Sequence, residues 1–317
     1  MKHMLLLVGL SVGLGAQMGC GGAAPEGAPG DTTNGADGRP PAIRIEGVGF
    51  ATPESVLHDP GSDVYLVSNI MGSPLGVDDN GFISRVAPDG TLLELKWIDG
   101  NLEGVTLNAP KGMAIIADTL YVADISFVRF FHRETGEPQG EIEIPGATFL
   151  NDLAAGHDGW LFASDSGMVF GPDGPEDTGS AAVYAISPQG ELVTISSGPG
   201  LDRPNGLIDS VAHDGLLVAP FGSNVVYHLD EEGARIDVAD LPKGGLDGIV
   251  ETTDGRLLVT SWTGESVYSV DPAGNITTFA DELPSPADLG YDAGRDVIMV
   301  PLFNDDAVVV MPALSQP

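Results

Sequence analysis

The sequence predicts an all-β fold: a six-bladed β-propeller with an N-terminal strand closing the last blade. Three observations lead there. A short apolar-then-polar signature recurs six times, each recurrence is followed by an apolar β-run, and four repeats carry a second run that ends in a glycine turn. The signatures are Pro53-Glu54, Pro110-Lys111, Leu150-Asn151, Pro204-Asn205, Leu246-Asp247 and Ala287-Asp288. Their polar members are 57, 40, 54, 42 and 41 residues apart, close to the period of propeller blades.

The first runs are VYLVSN (64–69), LYVADI (120–125), WLFASD (160–165), LLVAP (216–220), LLVTSW (257–262) and VIMVPLF (297–303). They are rich in β-branched and aromatic residues and bounded by Gly, Asp and Asn, as strands are. The second runs, FISRVAPDG (82–90), AVYAISPQG (182–190), VVYHLDEEG (225–233) and SVYSVDPAG (266–274), each end on the glycine that a tight turn accepts most easily. Repeats of about four strands suit radial closure, which leaves only short edges; a pair of β-sandwiches would not explain the common register. The sixth repeat is cut short after VVVMPAL (308–314), and AIRIEGVGF (42–50) is the expected source of its missing outer strand. The extra residues of repeats one and three, 73–81 and 169–180, are expected as loops on one face.

Three segments are expected in the 317-residue chain. Residues 1–20 read as a secretory signal: Lys2, an apolar stretch, then small residues up to Cys20. Cys20 is the only cysteine and stands where a lipoprotein signal places its acylated residue, although Gln17 departs from the usual Leu. Residues 21–41, rich in Gly, Ala and Pro, read as a disordered tether. Residues 42–317 are the propeller. The expected location is therefore the bacterial cell envelope, exported and held to a membrane by lipid alone, as a monomer. With 46 acidic against 13 basic side chains, a nucleic-acid partner is excluded, because phosphate binding needs Lys and Arg.

In a propeller the innermost strands line a central tunnel, so one phase of the repeat points at one axis. Here that phase carries Glu54, Lys111, Asn151, Asn205, Asp247 and Asp288. Carboxylates and amide oxygens gathered there suit Ca²⁺, which takes six to eight oxygen ligands. The absence of Cys and His from the phase argues against Zn²⁺ or Cu²⁺. Asn205-Gly206 and Asp247-Gly248 are also ordinary turn signals, but Glu54, before Ser-Val-Leu, is a poor turn former.

The stretches TPESVLHDPGSDVYLVSN, FLNDLAAGHDGWLFASD, RPNGL and GLDGIVETTDGRLLVTSW, in this order, resemble the gluconolactonase and regucalcin (senescence marker protein) family. Diisopropylfluorophosphatase and paraoxonase are more distant relatives. The resemblance spans about residues 50–312. It implies a Ca²⁺, or a Zn²⁺ or Mn²⁺, at the tunnel mouth, held by Glu54, Asn205 and Asp247 with Asn151 as fourth ligand or substrate contact. It also implies hydrolysis of a lactone or related ester, with Asp247 activating water or attacking directly.

Lys111 is the departure from that pattern: its ammonium either pairs with Glu54 or Asp288, or binds an anionic group of a small-molecule substrate. Asp152 and Asp288, with Asp124 and Asp165 at run ends, are expected to support the ligands or touch substrate. No histidine pair falls in the tunnel phase, so a paraoxonase-like dyad is not supported. Trp97, Trp160 and Trp262 are expected in blade packing. The alternative function is a non-catalytic, metal-stabilised binding or scaffold lipoprotein, because propellers host many activities.

Overall fold

The computed structural model describes residues 42–313, apart from 173, 211 and 214; the expected signal, Cys20 and the whole tether lie outside them. Six antiparallel four-stranded sheets follow one another along the chain, and each is one blade. The innermost strands are Pro53–Asp59, Pro110–Ile116, Leu150–Ala155, Pro204–Ser210, Leu246–Glu251 and Gly290–Asp292. The predicted closure is present: Ile43–Ile45 pairs with Ala307–Pro312 as the outer strand of the sixth blade. The chain's first described strand and its last therefore share one sheet.

The core is divided among the junctions between blades. Six apolar clusters each join residues of two neighbouring blades. The second strand of the fourth blade shows why the runs are continuously apolar. Leu216 and Val218 face the third blade, whereas Leu217 and Ala219 face the fifth. Successive side chains of a strand point to opposite faces, and here both faces are buried.

The insert of the third blade is not the expected loop. It folds as a hairpin, Met168–Gly171 paired with Gly174–Asp177, outside the blade's own sheet. Among the described residues no helix is long and apolar enough to cross a membrane.

Candidate functional site

The polar signature sits at the same irregularity in blades one to five. The register between the first and second strands slips between Pro53 and Val56, Pro110 and Met113, Leu150 and Leu153, Pro204 and Gly206, and Leu246 and Ile249. Each slip is a bulge that turns the polar side chain out of the pleat. A bulge frees a backbone N–H, and in three blades a hydroxyl on the next strand accepts it. Ser55 N donates to Ser68 Oγ (2.9 Å), Asp152 N to Ser164 Oγ (2.9 Å) and Gly248 N to Thr260 Oγ1 (2.8 Å).

The approach to the inner strand is clamped as well. Asn69, Asp124 and Asp165, at the ends of the second strands of blades one to three, accept from Ala51 N (3.0 Å), Ala109 N (2.8 Å) and Phe149 N (2.8 Å). Asp124 and Asp165 thus hold the backbone two residues ahead of Lys111 and Asn151. Asn205-Gly206 and Asp247-Gly248 are not turns; they lie within inner strands. A Cβ on Gly206 would stand 2.3 Å from Asp247 O, and one on Gly248 would stand 2.4 Å from Leu289 N. Glycine is there because neighbouring inner strands crowd around the axis.

Five of the six phased residues meet. Glu54, Lys111, Asn151, Asn205 and Asp247 line one cavity of about 380 Å³, and all five are buried. Asp288 and Asp152 instead line a larger cavity, about 860 Å³, further along the inner strands. Asp288 is in phase with Ser55 rather than Glu54: its backbone bridges Ser55, and Ser55 Oγ donates to its carboxylate at 2.5 Å. Asp152 accepts from Leu153 N and Leu207 N, both at 2.7 Å, and so ties the third blade to the fourth.

Four buried oxygens in the smaller cavity have no hydrogen-bond partner: Glu54 Oε2, Asn151 Oδ1, Asn205 Oδ1 and Asp247 Oδ1. The orientation of Asn151 follows from its surroundings. Ser166 Oγ gives its one proton to Pro204 O (2.8 Å), so it can only accept from Asn151, whose Nδ2 lies 3.1 Å away. That leaves Asn151 Oδ1 free. Buried acceptors are rarely left unpaired, and four hard oxygens in one cavity fit a divalent cation. The set contains two carboxylates; among the described residues no group of three or more His, Cys, Asp or Glu could hold a metal.

Burial pushes the carboxyls of Glu54 and Asp247 well above their usual range. Asp247 and Asp288 add to the shift of Glu54, and Asp288 adds to that of Asp247. Lys111 draws Glu54 partly back. Trp262 and Asn205 do the same for Asp247, at contacts too loose to count as hydrogen bonds. Lys111, 1% exposed, donates to Ala109 O at 3.1 Å and lies over the Phe149 ring at 4.6 Å. Burial lowers its pKa to about 8, against the opposing pull of Glu54 and Asp124. It forms an ion pair with neither Glu54 nor Asp288, the two partners expected for it; its one hydrogen bond is to backbone.

The rest of the wall is apolar. Trp262, expected in blade packing, lines the cavity between Phe221 and Phe303, with ring centroids 5.7 Å and 5.2 Å away. Ile70, Phe221, Trp262 and Phe303 each directly follow the second strand of a blade. That phase was readable beside the polar one. The two inserts also contribute, through Pro74 and through Met168, Phe170 and Pro175.

A family profile described as the SMP-30/Gluconolactonase/LRE-like region matches residues 81–287, more than half of the chain. Among curated protein sequences none matches. Among solved structures, a gluconolactonase from Xanthomonas campestris superposes with a TM-score of 0.67 at 18% identity, over 89% of this chain and 93% of its own. Virginiamycin B lyase from Staphylococcus aureus gives 0.62 at 12% identity, over 86% and 99%. A luciferin-regenerating enzyme gives 0.64 at 13%, over 86% and 96%. At these identities the likeness concerns the fold.

Proposed function

The chain belongs to the SMP-30/gluconolactonase/LRE-like family, and from that premise we propose that it is a divalent-metal-dependent hydrolase of lactones or related esters. The observation that carries this reading is the set of four unpartnered buried oxygens on one cavity. Glu54, Asn205 and Asp247 would hold the ion, with Asn151 as fourth ligand or substrate contact. An all-oxygen set suits Ca²⁺ or Mn²⁺ better than Zn²⁺. When bound, the ion would polarise a carbonyl oxygen as a Lewis acid.

The chain's own residues do the remainder. Asp247 takes a proton from water as the water oxygen bonds to the carbonyl carbon. The carbon–oxygen bond to the leaving group breaks, and that oxygen takes up the proton to give a hydroxy acid from a lactone. Ligation keeps the Asp247 carboxylate ionised, so the oxygen that does not face the ion is the one that can take the proton. Lys111 Nζ and the unpartnered Trp262 Nε1 are donors available to an oxygen on which charge develops.

Calorimetric titration of the protein with Ca²⁺, Mn²⁺ and Zn²⁺ tests the metal site. One tight site for Ca²⁺, strongly weakened in Glu54→Gln and in Asp247→Asn, is expected; no binding of any of the three sinks the metal-dependent reading. A metal-stabilised binding or scaffold propeller is the second reading. It is favoured by one observation: no histidine lines the cavity among the described residues, which leaves proton transfer to the carboxyls. A metal-loaded protein that turns over no lactone or ester would select it.

The chain's place in the bacterial envelope is part of the same proposal, with acylated Cys20 as the anchor and residues 21–41 as the tether. Mass spectrometry of the protein from membranes is expected to show an N-terminal acylated cysteine, absent in Cys20→Ala. An unprocessed or soluble wild-type protein would overturn this.

A further inference from the structure

The cavity is built unlike one that holds a polyhydroxylated ring. Above the floor of oxygens, its walls are Phe149, Met168, Phe170, Phe221, Trp262 and Phe303, with proline and isoleucine between them. The aromatic residues form two groups. Phe149 and Phe170 stand edge to face at 6.2 Å on the third blade, and Phe221, Trp262 and Phe303 make a continuous arc over blades four to six. The volume of about 380 Å³ lies at the small end for ligand pockets.

The polar capacity left for a ligand is small. The proton of Ser166 is committed to Pro204 O, and its oxygen already accepts from Asn151. Apart from the four oxygens assigned to the ion, Lys111 keeps two N–H groups after the one on Ala109 O, and Trp262 offers a single N–H. A sugar lactone carries a hydroxyl on most ring carbons, and each hydroxyl buried without a partner costs about tenfold or more in affinity. An aromatic or alkyl body, in contrast, gains from every wall it covers.

We infer that the substrate is a compact apolar lactone or ester, with an aromatic or alkyl body and without sugar hydroxyls, whose carbonyl meets the oxygen floor while its body fills the aromatic arc. This rests on the hydrolase reading above and adds the substrate class. Phe170 is half exposed at 49% and comes from the third-blade hairpin, so the insert itself shapes this preference.

The test compares D-glucono-δ-lactone with δ-lactones bearing a phenyl or pentyl substituent, on the full Ca²⁺-loaded protein. Binding of the matching phenyl- or pentyl-substituted cyclic ketones, which cannot be hydrolysed, is followed in parallel through tryptophan fluorescence. A kcat/KM at least about 10²-fold higher for the apolar lactones is expected. Phe170→Ser and Phe303→Ser are each expected to raise their KM about tenfold with Ca²⁺ affinity unchanged. Equal or better turnover of the gluconolactone overturns the inference, as does an unaltered KM in both variants. If no lactone is hydrolysed but the ketones bind and Phe303→Ser abolishes that binding, the apolar ligand class stands and the hydrolase reading fails. If the ketones do not bind either, both fail.

Discussion

Asp247→Asn is expected to lower kcat/KM for lactone hydrolysis by about 10²–10⁴-fold at saturating Ca²⁺, the range that a positioned general base contributes. The comparison that gives this meaning is Glu54→Gln. Both residues supply an unpartnered oxygen to the cavity, so both substitutions weaken metal binding, but only Asp247 is assigned the proton. Raising the Ca²⁺ concentration should therefore restore much of the activity in Glu54→Gln and little in Asp247→Asn. Activity within about threefold of wild type in metal-saturated Asp247→Asn would remove the residue from the chemistry.

The same substitution carries an opposite expectation for stability. Asp247 is buried and its ionised form is opposed by burial and by Asp288. In metal-free protein, Asp247→Asn should raise Tm at neutral pH even as it removes activity. A buried carboxylate whose charge no neighbouring cation compensates is less stable than a neutral amide in the same place.

How much of this was legible in the sequence depends on the length over which a signal repeats. The blades were legible because one signature returns at nearly constant spacing and because each run is bounded by turn residues. The closure was legible because the sixth repeat lacked a strand that residues 42–50 had in surplus. Five of the six tunnel residues came together for the same reason. Asp288 did not, because the sixth inner strand is only Gly290–Asp292 and the chain before it pairs with Ser55. That shifts its side chain by one place relative to Glu54. The aromatic arc was missed because an apolar residue at the end of a strand run reads as core. Only closure of the ring turns Phe221, Trp262 and Phe303 towards one space. The third-blade hairpin is not legible in the sequence because its strands are four residues each and carry Gly and Pro, which signal turns.

Asp288→Asn should stabilise the metal-free protein strongly at pH 8 and much less at pH 5. Burial raises the Asp288 carboxyl to about 7, and the proton donated by Ser55 offsets only part of that. The folded state then holds a proton that the unfolded chain, with an ordinary carboxyl near 3.8, releases much earlier. Because the folded state binds more protons, unfolding free energy falls as pH rises between about 4 and 7. The loss from this one group is on the order of 2–4 kcal/mol at pH 8, or several degrees of Tm in a chain of this size. Asp59 and Asp292 work the other way: their pairs with Arg133 and Arg295 lower their carboxyls against the opposing effect of burial. Their contribution is lost only as the pH drops below about 4, outside the window compared. The measurement is Tm of wild type and Asp288→Asn in a chelator at pH 5, 6, 7 and 8. A difference that grows with pH in favour of the variant matches a buried carboxylate forced to ionise without a partner. A variant less stable than wild type at pH 8 would mean that the ionised form of Asp288 is the one the fold requires, and the tunnel beyond the oxygen floor would then need a positive charge of its own.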